Sequence, residues 1–370
     1  TITLPASAEA GDNIVIVDFA RTWGTNKIII DSNGLNYQGN PDTYTVEYTT
    51  DGQSVNLIYS DSTKGWIPLE DDVVADEPVQ PPTQKAAFAY GSTGSVVSLK
   101  NLVGSNGVIA ADVTGVGSAR SYLAAAGYGG DKGIFAYGTT GSRVSLKNLM
   151  GNTGTIAADV TGVGTARDSL AASGYSDDKA IFAYGRNGGN VSLKNLVNNV
   201  GTVASDVTGV GTARRGIAAA RYGSDKAVFA YGYSSGLVSL KNLVSNVGVV
   251  AADVTGVGTA RYYVAAVGYG EDKAIFAFGE ASSDVTGVSN LVTSVGVIGT
   301  DVSAVGTARY ALGAARYGGD KAIFGYGFLG NGSVVSMSNL VNTSGVIASD
   351  VTGVGSDRGG IAASEYSFSA

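Results

Sequence analysis

The chain has 370 residues, 44% of them hydrophobic, with 55 glycines and a formal net charge of −7. It contains neither cysteine nor histidine, which removes disulfides, thiolate metal sites and any serine–histidine–aspartate triad. No apolar run is long enough for a transmembrane helix, no charged-then-apolar leader precedes the first strand, and the glycines follow no Gly-X-Y period.

Residues 1–69 are expected to form a small β-sandwich of six or seven short strands. The start at Thr1 rather than Met is what a processed product or a fragment would show. Thr1–Pro5 is followed by a turn at Gly11-Asp12-Asn13 and by the β-branched run Ile14–Phe19, as strands and turns alternate. Lys27–Asp31 leads into the turn Ser32-Asn33-Gly34, Tyr44–Tyr48 alternates with period two, and Asp51-Gly52 turns into Val55–Tyr59. Lys64–Pro68 ends the set. So small a core gains from self-association. Residues 70–84 hold Glu70, Asp71, Asp72, Asp76 and Glu77, then Pro78, Pro81 and Pro82, the composition of an extended, semi-rigid spacer. Residues 1–84 carry 3 basic and 13 acidic side chains against 21 and 18 in the remainder. Neither part offers the basic face that phosphate requires, so no nucleic-acid partner is expected.

From 85 to 370 a single unit repeats. Its opening lysine recurs at Lys85, Lys132, Lys179, Lys226, Lys273 and Lys321, a spacing of 47 residues and once 48. A unit of this size cannot bury its own apolar face, so the copies must pack on one another. Each copy has a strand like Lys179–Gly185, a variable loop, a strand like Val191–Val197, a Gly/Val-rich stretch ending in arginine, and an alanine-rich strand. Four strands per copy make one blade, so an all-β chain with a six-bladed propeller is expected. Phe88 and Tyr90, with their counterparts in each copy, lie two residues apart and are expected on one sheet face. The first copy lacks a preceding alanine-rich strand, and the chain ends on one that has no successor (Arg358–Tyr366). The C-terminal strand is therefore expected to complete the first blade, covering two open edges.

The order in Thr212–Ala220 and Lys226–Gly232, of arginine, small apolar strand, turn, apolar strand and glycine, resembles kelch propellers over about residues 85–370. The kelch double glycine is Tyr-Gly here, and the tyrosine and tryptophan of the later kelch strands are missing. Residues 1–69 resemble the small trimerising β-domains of bacteriophage tail-fibre proteins, through Leu4-Pro5, Gly11-Asp12, Ile14–Asp18, Ile28–Ile30, Asn36–Gly39, Leu57–Tyr59 and Trp66. Together these resemblances imply a virion fibre or appendage, tail or capsid, assembled in host cytoplasm. An oligomerising stem, a homotrimer, would carry the propeller head, which would bind host-surface glycan or protein and meet other virion proteins. An architectural virion component and a polysaccharide-degrading enzyme are the alternatives.

Six aspartates (Asp112, Asp159, Asp206, Asp253, Asp301 and Asp350) each precede an arginine by eight residues (Arg120, Arg167, Arg214, Arg261, Arg309 and Arg358). Because every copy has them, they are expected to be structural pairs rather than a metal ring or a catalytic site. The acids that break the repeat are Asp168, Glu271, Glu280, Asp284, Asp357 and Glu365. Scattered in this way they point to solvated loops, so no catalytic residue, cofactor or metal is expected. Recognition is expected where the copies differ. One set follows Tyr-Gly: Arg143, Arg186, Asn187, Asn190, Tyr233, Phe328 and Asn331. A second set follows the arginine: Tyr122, Asp168, Arg215, Tyr262, Tyr263 and Tyr310. Tyrosine, arginine and asparagine suit sugar and protein surfaces through stacking and planar hydrogen bonding. The two sets are expected on different faces.

Overall fold

The computed structural model describes residues 1–43, 45–70 and 84–367, and among them every regular element is a β-strand. The chain divides into two compact units, Thr1–Pro81 and Pro82–Ala370. Apart from its two ends, the acidic segment 70–84 lies outside the described residues.

The first unit contains β1 (Ile2–Thr3), β2 (Asn13–Val17), β3 (Ile28–Asp31), β4 (Val46–Tyr48), β5 (Ser54–Tyr59) and β6 (Trp66–Glu70). They form two three-stranded sheets, β1-β3-β4 and β2-β5-β6. One core joins Ile30 and Val46 of the first sheet to Val55, Leu57 and Trp66 of the second. Alternation in β5 explains this: Val55, Leu57 and Tyr59 are buried, and the residues between them are not, as period two demands. Tyr37 and Tyr48 satisfy each other's buried hydroxyls at 2.7 Å. The Asp18 carboxylate accepts the N–H groups of Thr22, Trp23 and Gly52, tying two loops together. On the opposite side of β2, Val15 and Val17 are exposed, and Phe19 just beyond is 97% exposed.

The second unit contains six three-stranded antiparallel sheets. Their middle strands are Lys85–Ala89, Lys132–Ala136, Lys179–Ala183, Lys226–Ala230, Lys273–Ala277 and Lys321–Gly325. Five inner strands, Ala124–Tyr128, Ala171–Tyr175, Ala218–Tyr222, Ala265–Tyr269 and Gly313–Tyr317, form hairpins with the middle strands that follow them. The sixth inner strand is Ala362–Tyr366, and it pairs with Lys85–Ala89. The end of the repeat thus completes its beginning.

After each outer strand (Lys100–Val103 in the first copy) the chain turns back and pairs only at isolated bridges, Val103↔Ile109 and Lys100↔Val113. Three steps on one side face four on the other, a bulge that interrupts the ladder. The side chain of Asn101 bridges the gap by donating to the Ala110 carbonyl. The fourth strand expected in each copy is not formed as a strand: that segment pairs only through these bridges.

The inner strands neighbour one another in a cycle, and the cycle closes between Ala362–Tyr366 and Ala124–Tyr128. At their starts, the N–H groups of Tyr122, Ser169, Gly216, Tyr263, Ala311 and Gly360 each donate to the carbonyl of the equivalent residue one copy away, and Tyr122 donates back to Gly360. Left-handed φ values between 50° and 62° at all six positions aim these groups around the ring. A second closed set links the opposite ends, from Gly129 N–H to Asp178 carbonyl onward to Ser367 N–H and Asp131 carbonyl.

The aromatic pair corrects the sequence expectation. Phe88 packs on Tyr326 of the preceding sheet, whereas Tyr90 packs on Phe135 of the following one. A φ of 66° at Tyr90 turns the chain out of the strand, so period-two alternation ends there. One residue of each pair therefore serves each neighbouring interface.

Over each tyrosine lies a fully buried arginine. The Arg214 guanidinium sits 4.5 Å from the Tyr184 ring centre and donates to the Tyr231 and Thr212 carbonyls and to Asn242 Oδ1. The aspartate near it is not the one eight residues upstream. It is Asp253 of the next copy, 3.5 Å away, which also accepts from the Thr212 N–H and hydroxyl and from Asn242. The Asp–Arg pairing therefore joins neighbouring copies and not the residues eight apart within one copy. At closure, Ser356 donates to Asp112 and Arg358 to Asn101.

The six aspartates share one titration behaviour. Partial burial pushes their carboxyls upward, but hydrogen bonds from Ser or Thr and Asn and the charge of the nearby arginine outweigh it. All six are held below the ordinary value. A depressed folded-state value stabilises above the unfolded value of about 3.9 and is lost as pH falls through the folded one. Thermal melts are therefore expected to be flat above about pH 5 and to fall progressively below it as these carboxylates protonate. A melt still at its neutral-pH temperature at about pH 2 contradicts this, since it leaves no room for linkage at these sites.

Candidate binding face

The two variable sets do not lie on different faces. Each residue that follows the buried arginine bridges the first loop residue after Tyr-Gly: Ser121↔Thr139, Asp168↔Arg186, Arg215↔Tyr233, Tyr262↔Glu280 and Tyr310↔Phe328. The reason is the hairpin. In an antiparallel pair the start of one strand lies beside the end of its partner, so residues just before the inner strand and just after the middle strand share one end.

Around that end the constant frame carries a different pair in each copy. In one, Asp168 is buried and flanked by Arg143, Nε to Oδ2 2.8 Å, and Arg186, Nε to Oδ1 3.8 Å. In the next, Arg215 stacks 4.8 Å from the Tyr233 ring centre and reaches Asn190 Oδ1. Asn190 in turn donates to the Tyr233 and Ser234 carbonyls. The following copies are aromatic. Tyr233 adjoins Tyr262, Tyr262 packs on Tyr263 with ring centres 4.6 Å apart, Tyr263 meets Tyr310, and Tyr310 stacks on Phe328 at 5.3 Å. Tyr122 closes the cluster against Phe328 and Tyr263. One side of the face is therefore ionic and the other is a continuous aromatic surface.

Two of the residues singled out from sequence stand apart. Asn331 accepts the Ser333 N–H and so holds its own turn. Among the described residues, Asn187 pairs only through backbone, in the short hairpin Arg186–Asn187/Gly189–Asn190. Ser169 went unnoticed in the sequence, yet its hydroxyl bonds Asp168 Oδ1 at 3.0 Å and lies 3.3 Å from the Tyr263 hydroxyl. The signal was available: the second residue after the buried arginine is serine only in that copy.

Two cavities open here. A small one of about 80 Å³, where the six inner strands begin, is lined by equivalent pairs from Tyr122-Leu123 to Gly360-Ile361. A larger one of about 520 Å³ is bounded by Tyr122, Arg143, Asp168, Ser169, Arg186 and Tyr263, among others. Burial, together with neighbouring tyrosines and acids, raises the hydroxyls of Tyr122 and Tyr262 well above the ordinary tyrosine value. These side chains stay neutral and can stack and hydrogen-bond. Among the described residues no group of three or more acidic side chains could hold a metal ion. No protein-family model matches the chain, and no curated protein sequence matches it.

Proposed function

We propose that the six sheets are the blades of one kelch-like propeller, and that the chain is a non-enzymatic virion appendage protein. In this reading the first unit is a trimerising stem and the propeller head binds a host-surface glycan or protein through the variable face. The observation that carries it is the gathering of both variable sets at one end of an otherwise repeated frame. A repeated frame supplies rigidity, and non-identical side chains on one face supply selectivity. The closed rings of backbone hydrogen bonds favour a propeller over an open array. Aromatic and arginine side chains are the residue types that dominate recognition surfaces. Asp168, the repeat-breaking acid best placed in a cavity, is engaged by two arginines, which favours a binding role for it over a catalytic one. Exposed Val15, Val17 and Phe19 give the first unit an apolar side that a second and third copy would cover. Several heads on one stem would turn weak single contacts into avid attachment.

Light scattering of the full chain tests the assembly. A trimer is expected, falling to monomer when Val17→Lys and Phe19→Asp are combined. A monomeric parent chain refutes the stem. Binding of the full chain to arrays of neutral and acidic glycans tests the head, and Tyr263→Ala is expected to abolish it.

A further inference from the structure

We propose that Arg143 and Arg186 form a subsite for the carboxylate of an acidic sugar, with Tyr122 and Tyr263 as the surface on which the sugar ring stacks. The inference rests on the reading that this face meets a glycan, and it names the class of glycan.

The charge is the first argument. In a chain of net charge −7, this cavity has two guanidiniums against one carboxylate. The carboxylate lies beneath: the Asp168 side chain is 10% exposed, those of Arg143 and Arg186 26% and 40%. What faces the cavity is therefore cationic, and Asp168 acts as a positioning residue. The Nε atom of each arginine is turned toward Asp168, buried and without a well-aligned hydrogen bond. Among the described residues, the terminal nitrogens of both arginines make no hydrogen bond to protein. Planar forks with free terminal donors match a carboxylate in bidentate geometry.

The second argument is shape. The volume of about 520 Å³ lies within the range of about 300–1,000 Å³ usual for small-ligand sites. Tyr122 and Tyr263 line it, with ring centres 5.4 Å apart, so an apolar sugar face can lie on the rings while its carboxylate reaches the forks. The third argument is uniqueness. The positions of Asp168 and Arg186 hold Ser121 and Thr139 in one neighbouring copy and Arg215 and Tyr233 in the other. Nothing in the shared frame needs this ionic group.

The test is titration calorimetry of the full chain with four probes: an oligosaccharide of alternating glucuronic acid and N-acetylglucosamine, its carboxyl-reduced counterpart, an oligomer of sialic acid, and a sulfated oligosaccharide free of uronic acid. At least one carboxylate probe is expected to bind, and for the glucuronate oligosaccharide carboxyl reduction removes the binding. Arg143→Gln and Arg186→Gln are each expected to weaken binding by about 10- to 100-fold, the range for losing a hydrogen bond to a charged group. Arg221→Gln, at the far end of an inner strand, leaves it unchanged. Arg186 is the more exposed arginine, so its variant keeps the test valid if Arg143→Gln fails to fold. The subsite is overturned if no carboxylate probe binds, if the reduced probe binds as tightly, if only the sulfated probe binds, or if both arginine variants bind like the parent. Should neutral probes bind and Tyr263→Ala abolish that binding, the face stands and the acid subsite falls. Binding that neither tyrosine nor arginine substitution affects removes the face as well.

Discussion

Replacing Arg214 with methionine is expected to destabilise the second unit by about 3–5 kcal/mol. The side chain is fully buried and closes an interface between two copies. Its loss leaves Asn242 Oδ1 and the Tyr231 carbonyl buried without their donor, at about 1–3 kcal/mol each. The stacking on Tyr184 also goes, a further contribution of about 0.5–2 kcal/mol. Asp253 remains about one-quarter exposed, so water rehydrates it and the cost stays below that of a stranded buried charge. Arg214→Lys retains the charge but not the fork, and is expected to lose most of the same stability. The readout is built into the sequence. Both tryptophans, Trp23 and Trp66, lie in the first unit, so tryptophan fluorescence follows that unit alone. Calorimetry records both units, so the transition without a fluorescence counterpart belongs to the second. A shifted calorimetric transition with an unmoved fluorescence transition is the expected result, and a change below about 1 kcal/mol would mean that the network is not a structural latch.

The repeat was legible because period and composition agreed. Glycine after tyrosine, the Phe-bearing strand and the alanine-rich strand recur together, and each copy folds into the same three strands. The partners of the repeated aspartates differ from the sequence expectation for a definite reason. Separation along the chain favours the arginine eight residues on, but in an array every copy offers the same partners and only geometry selects between them. Asn101, Asn148 and their counterparts were overlooked for the opposite reason. Polar and buried within short apolar strands, they look like solvated strand residues until the bulged segment above each one is seen to need a donor.

The candidate site was legible in residue type and not in arrangement. Tyr122, Asp168, Arg186, Tyr263 and Phe328 all stood out as departures from the repeat. Their co-location follows from hairpin geometry alone and could have been deduced. The neighbour relations across copies could not. That Phe328 reaches Tyr122, although they lie at opposite ends of the repeat array, depends on closure of the ring, and so does the placing of the aromatic side next to the ionic one.

Deleting residues 361–370 is expected to abolish the folded second unit. The segment supplies a five-residue strand paired along its whole length to Lys85–Ala89. Without it, Ala86, Ala87 and Phe88, all at 0% exposure, lie on an open edge. Five ladder residues at about 0.5–1.5 kcal/mol per hydrogen bond, and burial of Tyr366 at about 1.5–3 kcal/mol, sum to about 4–10 kcal/mol. That is comparable to the whole stability of a typical domain, about 5–15 kcal/mol. The exposed edge also templates pairing between chains, so aggregation is the expected form of failure. A relocation separates closure from mere loss of residues. Residues 356–366 moved to precede Lys85, joined by the Gly129-Gly130-Asp131 turn that another copy uses between its inner and middle strands, supply the same strand from the other direction. This permuted chain is expected to keep the calorimetric transition that the deletion loses. If the deletion melts like the parent, the C-terminal strand is not what closes the ring. If the permuted chain fails as the deletion does, the covalent order of the last copy matters beyond the strand it provides.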